Sequence, residues 1–450
     1  MALFGPGGFR GAINRDITPE TALQLGRSLG RLYKGTIAVA DDARDSAPAF
    51  KAAILAGITA SGCAAVDLGT LPTPALHHHV ASHPRITAGV MLTASHNAQD
   101  YNGIKLILQG GRDASPEDEA ILFDYFRREL PEESWSTVGE IRSEYGAADD
   151  YVDAVVSAVD ADAVRKAGLT ACIDCINGAA AVTTPRILAE LGVRTVSLGC
   201  DIGSVRHDSG GSSDLSAVVP AVGADLGVLH DADGSRAIFV DSDGVCIAGD
   251  EIGALVARTM ISEGSEVVTP FTSSRTLEET VSSLGGTVAY TPVGTRAVLR
   301  RMMDDDAALG VEEDGGLIVP SFQMCRDGGM ALAKVLEIIA KGGSLKEQVS
   351  ALPRYTKVKL VLDCPSEEKM AVMDLIRSRL GSAGTAFDDS DGLRMQYPDG
   401  WALVRASSTE DAIRVFSESG DASVAESRAK ELYGMAAEAV AETEKKATEI

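Results

Sequence analysis

The order of apolar and polar positions along the chain repeats itself three times. Residues 35–69, GTIAVADDARDSAPAFKAAILAGITASGCAAVDLG, read as an apolar strand, a polar loop, a helix with a glycine near its end and a second apolar strand. Residues 169–199, LTACIDCINGAAAVTTPRILAELGVRTVSLG, and residues 265–294, SEVVTPFTSSRTLEETVSSLGGTVAYTPVG, follow the same order. Each predicts a β-α-β unit whose strands lie parallel, with a right-handed crossover helix. A further apolar strand carrying Gly-Val follows each unit and runs into a polar loop. The three versions are TAGVMLTASHN with Ser95, ADLGVLHDADGSR with Asp231, Asp233 and Arg236, and AALGVEEDGG with Glu312, Glu313 and Asp314. Equivalent strands deliver their loops to equivalent sheet edges, and ligands of open α/β sheets bind beyond the carboxyl ends of strands. The three loops are therefore expected to meet in one cleft.

The last part of the chain has a different rhythm. KVKLVLDC alternates like a strand, SEEKMAVMDLIRSRL reads as a helix, DGLRMQYPDGWALVRAS as a hairpin with a Pro-Asp-Gly turn, and AVAESRAKELYGMAAEAVAE as a closing helix. The expected fold class is α/β: three similar α/β domains with mixed, largely parallel sheets plus a C-terminal α+β domain around a central cleft. The expected boundaries are 1–147, 148–248, 249–355 and 356–450, with RYTK near residue 354 as a linker.

A chain of 450 residues suits several domains. No charge-free run is long enough to span a bilayer, and MALFGPGGFRGAIN lacks the order of a signal peptide, so a cytoplasmic location is expected. The balance of 41 basic against 65 acidic residues, net −24, argues against nucleic acid or an anionic membrane as partner. It also requires a local cationic cluster for any anionic substrate. Among the seven cysteines, Cys172 and Cys175 form a C-x-x-C in a strand, where residues three apart face opposite sides, so a structural role is expected. His77, His78 and His79, with His83 nearby, read as a surface feature of a helix.

DADGSR admits three readings. An EF-hand needs glycine at position six and glutamate at twelve, where Arg236 and Ser242 stand. A phosphatase nucleophile at Asp231 with Asp233 as acid/base fits locally, but GDEIGA ends in Ala254 where a second carboxylate is wanted. The third reading is Mg²⁺ held by two carboxylates and a phosphate oxygen. Ser95 can accept a phosphoryl group if N–H groups and cations surround it, and Lys105 is the cation of the following strand. RASSTEDAIR, Arg405 to Arg414, reads as a phosphate cradle of two arginines and hydroxyl donors.

Together these loops resemble the α-D-phosphohexomutases: phosphoglucomutase, phosphomannomutase and phosphoglucosamine mutase. FGPGGFRG, DDARDSAP, GTLPTPAL, TASHNAQDYNGIK, DADGSR, GVEEDGG, RDGGMALAKVLE and RASSTEDAIR are similar to family motifs in the family's order, nearly end to end. The resemblance implies a phosphorylated Ser95 that exchanges its phosphoryl group with a hexose phosphate through a bisphosphosugar, interconverting hexose 1- and 6-phosphates. It implies Mg²⁺ on Ser95, Asp231, Asp233 and Ser235, and hexose 1,6-bisphosphate as activator. Arg10, His96, Lys105 and Arg236 would surround the transferring group. Glu312 and Asp314 would read the sugar, and Arg405, Ser407, Thr409 and Arg414 would hold the second phosphate. Small-molecule hexose phosphates are the implied partners, with a homo-oligomer or association with a related mutase as a further expectation.

The departures are specific. Ser235 replaces the family's third metal aspartate, Ala98 a proline, and Asp411 a proline in the phosphate loop, where its charge is expected to repel phosphate. Asp314 adds charge to the sugar loop, and Pro292 and Thr295 replace polar residues. Weakened metal binding is expected. The alternative is a divergent sugar-phosphate-binding paralogue with little or no turnover. FGPGGFRG and TASHN lean towards phosphoglucosamine mutase, and EEDGG also fits the phosphomannomutase/phosphoglucomutase types.

Overall fold

The structure, a computed structural model, describes residues 9–95, 97–131, 133–206, 213–407 and 410–448, so His96 and Thr409 lie outside the described residues. The three repeats fold alike. In the first, Thr36–Asp41 lies between Ala64–Thr70 and Ile86–Leu92, parallel to both, and Tyr101–Leu108 returns antiparallel to Ile86–Leu92. In the second, Thr170–Asp174 lies between Arg194–Leu198 and Leu226–His230, and Ala237–Asp241 returns antiparallel. In the third the same places are taken by Glu266–Pro270, Thr287–Thr291, Leu309–Val311 and Leu317–Ile318. The functional loops are thus the connections from the third strand of each unit to its antiparallel fourth.

The first sheet is extended at both edges, by Phe9–Ala12 against Tyr101–Leu108 and by Ile141–Ser143 against Ala64–Thr70. The second crossover is shorter than its counterparts: a 3₁₀ turn, Ala179–Val182, and then the helix Thr184–Glu190. Pro185 sits in the first turn of that helix. Lacking an N–H and restricting the residue before it, a proline there starts a helix rather than continuing one.

The C-terminal sheet is antiparallel, in the order Thr356–Asp363, Ala412–Ser419, Gly400–Ala406, Leu393–Tyr397. The strand Ala412–Ser419, AIRVFSES, ends in polar residues. Ser417, Glu418 and Ser419 are nevertheless fully buried, and Glu418 accepts hydrogen bonds from the Trp401 indole (2.9 Å) and the Arg275 backbone (2.8 Å). The strand is polar because it lies where the third and fourth domains meet.

One apolar core runs through the first three domains, from Ala38 and Val66 through Ile173 and Val228 to Leu309 and Leu332. The helix Gly328–Gly342, buried along most of its length, belongs to it. The C-terminal domain has its own core around Val372, Ile376, Val404, Ile413 and Ala436. Cys172, in the strand Thr170–Asp174, and Cys175, just past its end, are buried free thiols in separate clusters. The histidines depart from the surface reading: His77 and His79 are both buried, and His77 Nδ1 donates to Gly111 O at 2.8 Å. No described helix is long and apolar enough to cross a membrane.

The helices Pro19–Tyr33 and Ala47–Ala60 cross at glycines. A Cβ added to Gly57 would lie 2.2 Å from Leu23 O and 2.8 Å from Arg27 N, both backbone atoms. Gly57→Ala must push the helices apart and is expected to cost about 1–3 kcal/mol, read as a lowered urea midpoint with unchanged slope. An unmoved midpoint would show that the crossing is not backbone-limited.

Candidate active site

Ser95 sits at the end of the first third-strand, fully buried, with φ +50°. A non-glycine residue in that region costs roughly 1–2 kcal/mol, so its surroundings must hold it there. Its N–H donates to Thr93 Oγ1 (2.8 Å), and its carbonyl accepts from Arg44 Nη2 (2.5 Å). Arg44 is itself buried and gathers the whole loop. It donates to Asn97 O (2.9 Å), Ala98 O (2.8 Å) and Tyr101 O (3.2 Å), and pairs through Nε with Asp42 (2.9 Å). Burial pushes the Asp42 carboxyl up to about 6, although Arg44 and Thr93 work in the opposite direction. Arg10, on the edge strand, donates to Asn97 Oδ1 (3.1 Å), and burial lowers its pKa to about 10.

The second loop meets the first directly. Ser95 Oγ donates to Asp231 Oδ2 at 2.7 Å. Ser235 Oγ lies 2.9 Å from Asp233 Oδ1 and 3.3 Å from Asp231 Oδ2. Asp231 Oδ1 accepts the Arg236 N–H (3.0 Å), and Asp233 Oδ2 accepts the Thr73 hydroxyl (2.7 Å) and the Lys105 ammonium. Burial and then the neighbouring Asp233 push the Asp231 carboxyl up. Burial pushes Asp233 up too, but Lys105 and Thr73 outweigh it and hold Asp233 well below the ordinary carboxylate range. Below them His230 fixes the turn: Nδ1 donates to Arg236 O (2.8 Å) and Nε2 accepts from Thr184 Oγ1 (3.1 Å). Burial pushes His230 down to about 4, so it is neutral.

The third loop closes on the second. Asp314, expected as a surplus charge, pairs with Arg236 Nη1 (2.9 Å). Glu312 Oε2 lies 3.2 Å from Thr295 Oγ1 and 3.5 Å from Arg326 Nη1. Burial and Asp314 push the Glu312 carboxyl up, against the pull of Arg326. Arg326 also reaches Ser235 Oγ (3.4 Å) and lies 3.9 Å from Asp314. Burial opposes its charge, but Glu312, Asp314, Asp231 and Asp233 together hold it firmly protonated. Arg326 is followed by Gly328, whose N–H donates to Gly234 O (3.2 Å). A Cβ at Gly328 would lie 2.5 Å from Arg236 O, so only glycine lets this helix start against the second loop.

The C-terminal loop carries the cradle. Arg405 and Arg414 are directly opposite on neighbouring strands. Like charges so placed repel unless an anion lies between them. The Nε of each is buried with no partner among the described residues. Arg405 bonds Asp391 Oδ1 (3.3 Å), Arg414 bonds Glu410 (2.7 Å), and Ser407 Oγ accepts Glu410 N–H (3.2 Å). Asp391 Oδ2 accepts the Val293 N–H (2.7 Å), tying the cradle to the third domain. The repulsion expected from Asp411 is relieved: its carboxylate accepts from Ser366 Oγ (2.5 Å), lies 4.0 Å from Lys369 and is largely exposed. The Lys369 ammonium is buried and donates to Ser407 O (2.9 Å) and Glu410 O, setting the loop backbone.

Three residues that matter had no role in the sequence reading. Arg44 and Arg326 lie inside motifs already noted, DDARDSAP and RDGGMALAKVLE, but nothing in one chain says where an arginine points. Lys369 carries no signal, being one of several charges on an ordinary helix.

Comparisons with known proteins identify the family. Family models for phosphoglucomutase/phosphomannomutase match along the chain: alpha/beta/alpha domain I at residues 1–132, domain II at 149–244, domain III at 248–355 and the C-terminal domain at 346–435. The chain belongs to the phosphoglucomutase/phosphomannomutase family. This is an isomerase family of intramolecular phosphotransferases. A phosphoglucomutase/phosphomannomutase of Thermococcus kodakarensis is 36% identical over 432 residues, covering 92% of this chain and 94% of that one. A probable phosphoglucosamine mutase of Methanopyrus kandleri is 36% identical over 445 residues, 95% of each. A crystal structure of a phosphoglucomutase/phosphomannomutase family protein from Burkholderia thailandensis superimposes with TM-score 0.82 at 25% identity, over 97% of both chains.

Arg44→Lys tests the scaffold. An ammonium cannot reach four carbonyls and a carboxylate at once, so a loss of roughly 2–4 kcal/mol is expected, seen in urea unfolding, with a larger fall in kcat than in KM. Unchanged stability would remove Arg44 from this role.

Proposed function

We propose that the protein is a phosphohexomutase that interconverts hexose 1- and 6-phosphates through phospho-Ser95 and a bisphosphosugar. The observation that carries this reading is the 2.7 Å hydrogen bond from Ser95 Oγ to Asp231. The candidate nucleophile of one domain is seated on a carboxylate of the next, inside a set of oxygens shared with Asp233 and Ser235. An all-oxygen set containing two buried carboxylates suits Mg²⁺. Asp231, Asp233, Ser235 and the Ser95 oxygen would hold it, and the ion would supply charge neutralisation at the transferring phosphoryl group.

In the forward half-reaction the P–O bond to Ser95 breaks as a sugar hydroxyl forms the new one, and the proton that the hydroxyl gives up ends on the leaving Ser95 oxygen. The return half, after the bisphosphosugar has turned over, restores phospho-Ser95 from the other position. Lys105, Arg236 and Arg10 supply the positive charge that such a transfer needs. Arg405, Ser407 and Arg414 hold the phosphate that is not reacting, which keeps the intermediate bound while it turns. Glu312 reads the sugar: its Oε1 is buried and has no partner among the described residues, so a ligand donor completes it. The C2 ammonium of a glucosamine phosphate offers such a donor with a charge that suits this acidic loop, and phosphoglucosamine is the preferred substrate in this reading. The name of the Methanopyrus kandleri relative supports it.

One observation favours a slower variant of this chemistry. Ser235 is neutral where the family has a third aspartate, and Arg326 approaches its hydroxyl at 3.4 Å. This is the observation behind the second reading, a sugar-phosphate binder with little turnover.

With bisphosphate priming and Mg²⁺, a panel of glucosamine, mannose and glucose 1-phosphates is expected to give turnover, greatest with glucosamine. Phosphate should appear on Ser95 by mass spectrometry, and Ser95→Ala should abolish turnover. Binding without conversion of any sugar would support the second reading, and phosphate release surviving Ser95→Ala would point to Asp231 as nucleophile.

Ser235→Asp adds a carboxylate to the oxygen set. Its expected effect is a Mg²⁺ requirement met at about tenfold lower concentration, equivalent to about 1.4 kcal/mol, measured as the half-saturating Mg²⁺ for turnover or by calorimetry. Unchanged Mg²⁺ dependence would mean that Ser235 is not what limits the metal.

A further inference from the structure

The helix Thr73–Ser82 starts at the active site, where Thr73 N donates to Asp233 O (2.8 Å) and its hydroxyl to Asp233 Oδ2. At its far end, roughly 15 Å away at 1.5 Å per residue, lies a second cluster of ligating side chains that the mutase chemistry does not use. His79, in its last turn, and His83, just beyond, stack with ring centroids 4.1 Å apart. His83 Nδ1 lies 2.9 Å from His79 O. A carbonyl can only accept, so Nδ1 carries the proton and Nε2 keeps its lone pair, the arrangement that prepares a histidine to ligate a metal.

His79 is only 3% exposed, yet neither of its ring nitrogens has a hydrogen-bond partner among the described residues. A buried polar ring left this way is costly and calls for a partner. Glu144 Oε2 stands 4.0 Å from His79 Nε2, too far for a hydrogen bond. From the helix Ala147–Ser157, Asp150 offers a carboxylate oxygen that lies within 4.8 Å of one nitrogen of each histidine, as those nitrogens do of each other.

We propose that His79, His83 and Asp150, with Glu144 as a fourth donor, form a binding site for a divalent transition metal of the Zn²⁺ type. Two imidazoles and carboxylates are the donors that ion takes, in a tetrahedron with bonds of about 2.0–2.2 Å. Mg²⁺, which prefers oxygen, is not matched by this set. Asp150 is exposed and free to swing, so closing the cluster asks only for side-chain motion.

The role that follows is structural. His79 and His83 belong to the first domain, and Glu144 follows the strand Ile141–Ser143 at the edge of the first sheet. Asp150 is on the helix that leads into the second domain, whose Tyr151 donates to Asp327, the cap of the helix Gly328–Gly342 in the third. An ion here would clasp the first domain to that helix, and would steady the helix whose other end holds Asp233.

The test uses the full-length protein stripped with EDTA, returned to excess Mg²⁺ to fill the oxygen site, and titrated with ZnCl₂ by calorimetry and with Co²⁺ by visible absorption. One Zn²⁺ per chain at micromolar or tighter affinity is expected, with the intense bands of tetrahedral Co²⁺ and a raised melting temperature. His83→Gln and Asp150→Asn replace residues that are not fully buried, and each should weaken Zn²⁺ binding by about tenfold or more while leaving the metal-free melting temperature in place. Absence of stoichiometric binding, or binding unchanged in both variants, would overturn the proposal.

Discussion

Two carboxylates, Asp231 and Asp233, must be kept buried side by side, and the rest of the site is arranged around that requirement. Taking one charge out of water costs several kcal/mol, and a second like charge beside it costs more. No single loop supplies the compensation. Arg236 N–H comes from the loop itself, Thr73 and Lys105 from the first domain, and Arg326 from the third. Each partner is a donor or a cation, and all but the Arg236 N–H depend on another domain being correctly placed. The same excess of directed positive charge is what a phosphate group needs when it enters.

That dependence explains the division of the core. The first three domains share one apolar interior, so their loops cannot drift apart without exposing buried surface. The fourth has a separate core and joins the third through polar contacts, Asp391 with Val293 and Lys357 with Asp250 and Glu313, beside a small aromatic cluster around Trp401. The Ser95 end of the site is held by packing, and the Arg405 end by polar contacts. Lys357 is pushed up in pKa by Asp250 and Glu313, against the effect of burial, so this link stays charged at ordinary pH.

The structure also changes the meaning of several departures from the family pattern. Asp314 and Asp411 look like surplus negative charge in a phosphate enzyme, but one is paired with Arg236 and the other is turned to Ser366 and Lys369. Thr295 hydrogen-bonds the sugar-loop glutamate. Ser235 lies among the oxygens of Asp231 and Asp233 and brings no charge to them.

What the sequence determined by itself was periodicity and loop chemistry. Apolar strand runs, glycine at helix ends and three polar loops after equivalent strands are local properties, and a strand has to place its loop at the sheet edge wherever the domain sits. Ser95, Asp231, Asp233 and Glu312 were legible as candidates for that reason, and Arg405 by the arginines and hydroxyls around it. The tertiary structure decided which side chains face one another across domains. The guanidinium of Arg44 spans residues more than fifty positions away, Arg326 comes from another domain, Lys369 reaches back to Ser407, and the polar strand Ala412–Ser419 is buried only because a neighbouring domain covers it. The burial of His79 has the same origin, since a helix shows its faces only by periodicity and the packing of other elements settles which of them meet water. Long charged side chains have many rotamers and no periodic signature. Their direction is set by the charges that folding brings near, and those are non-local.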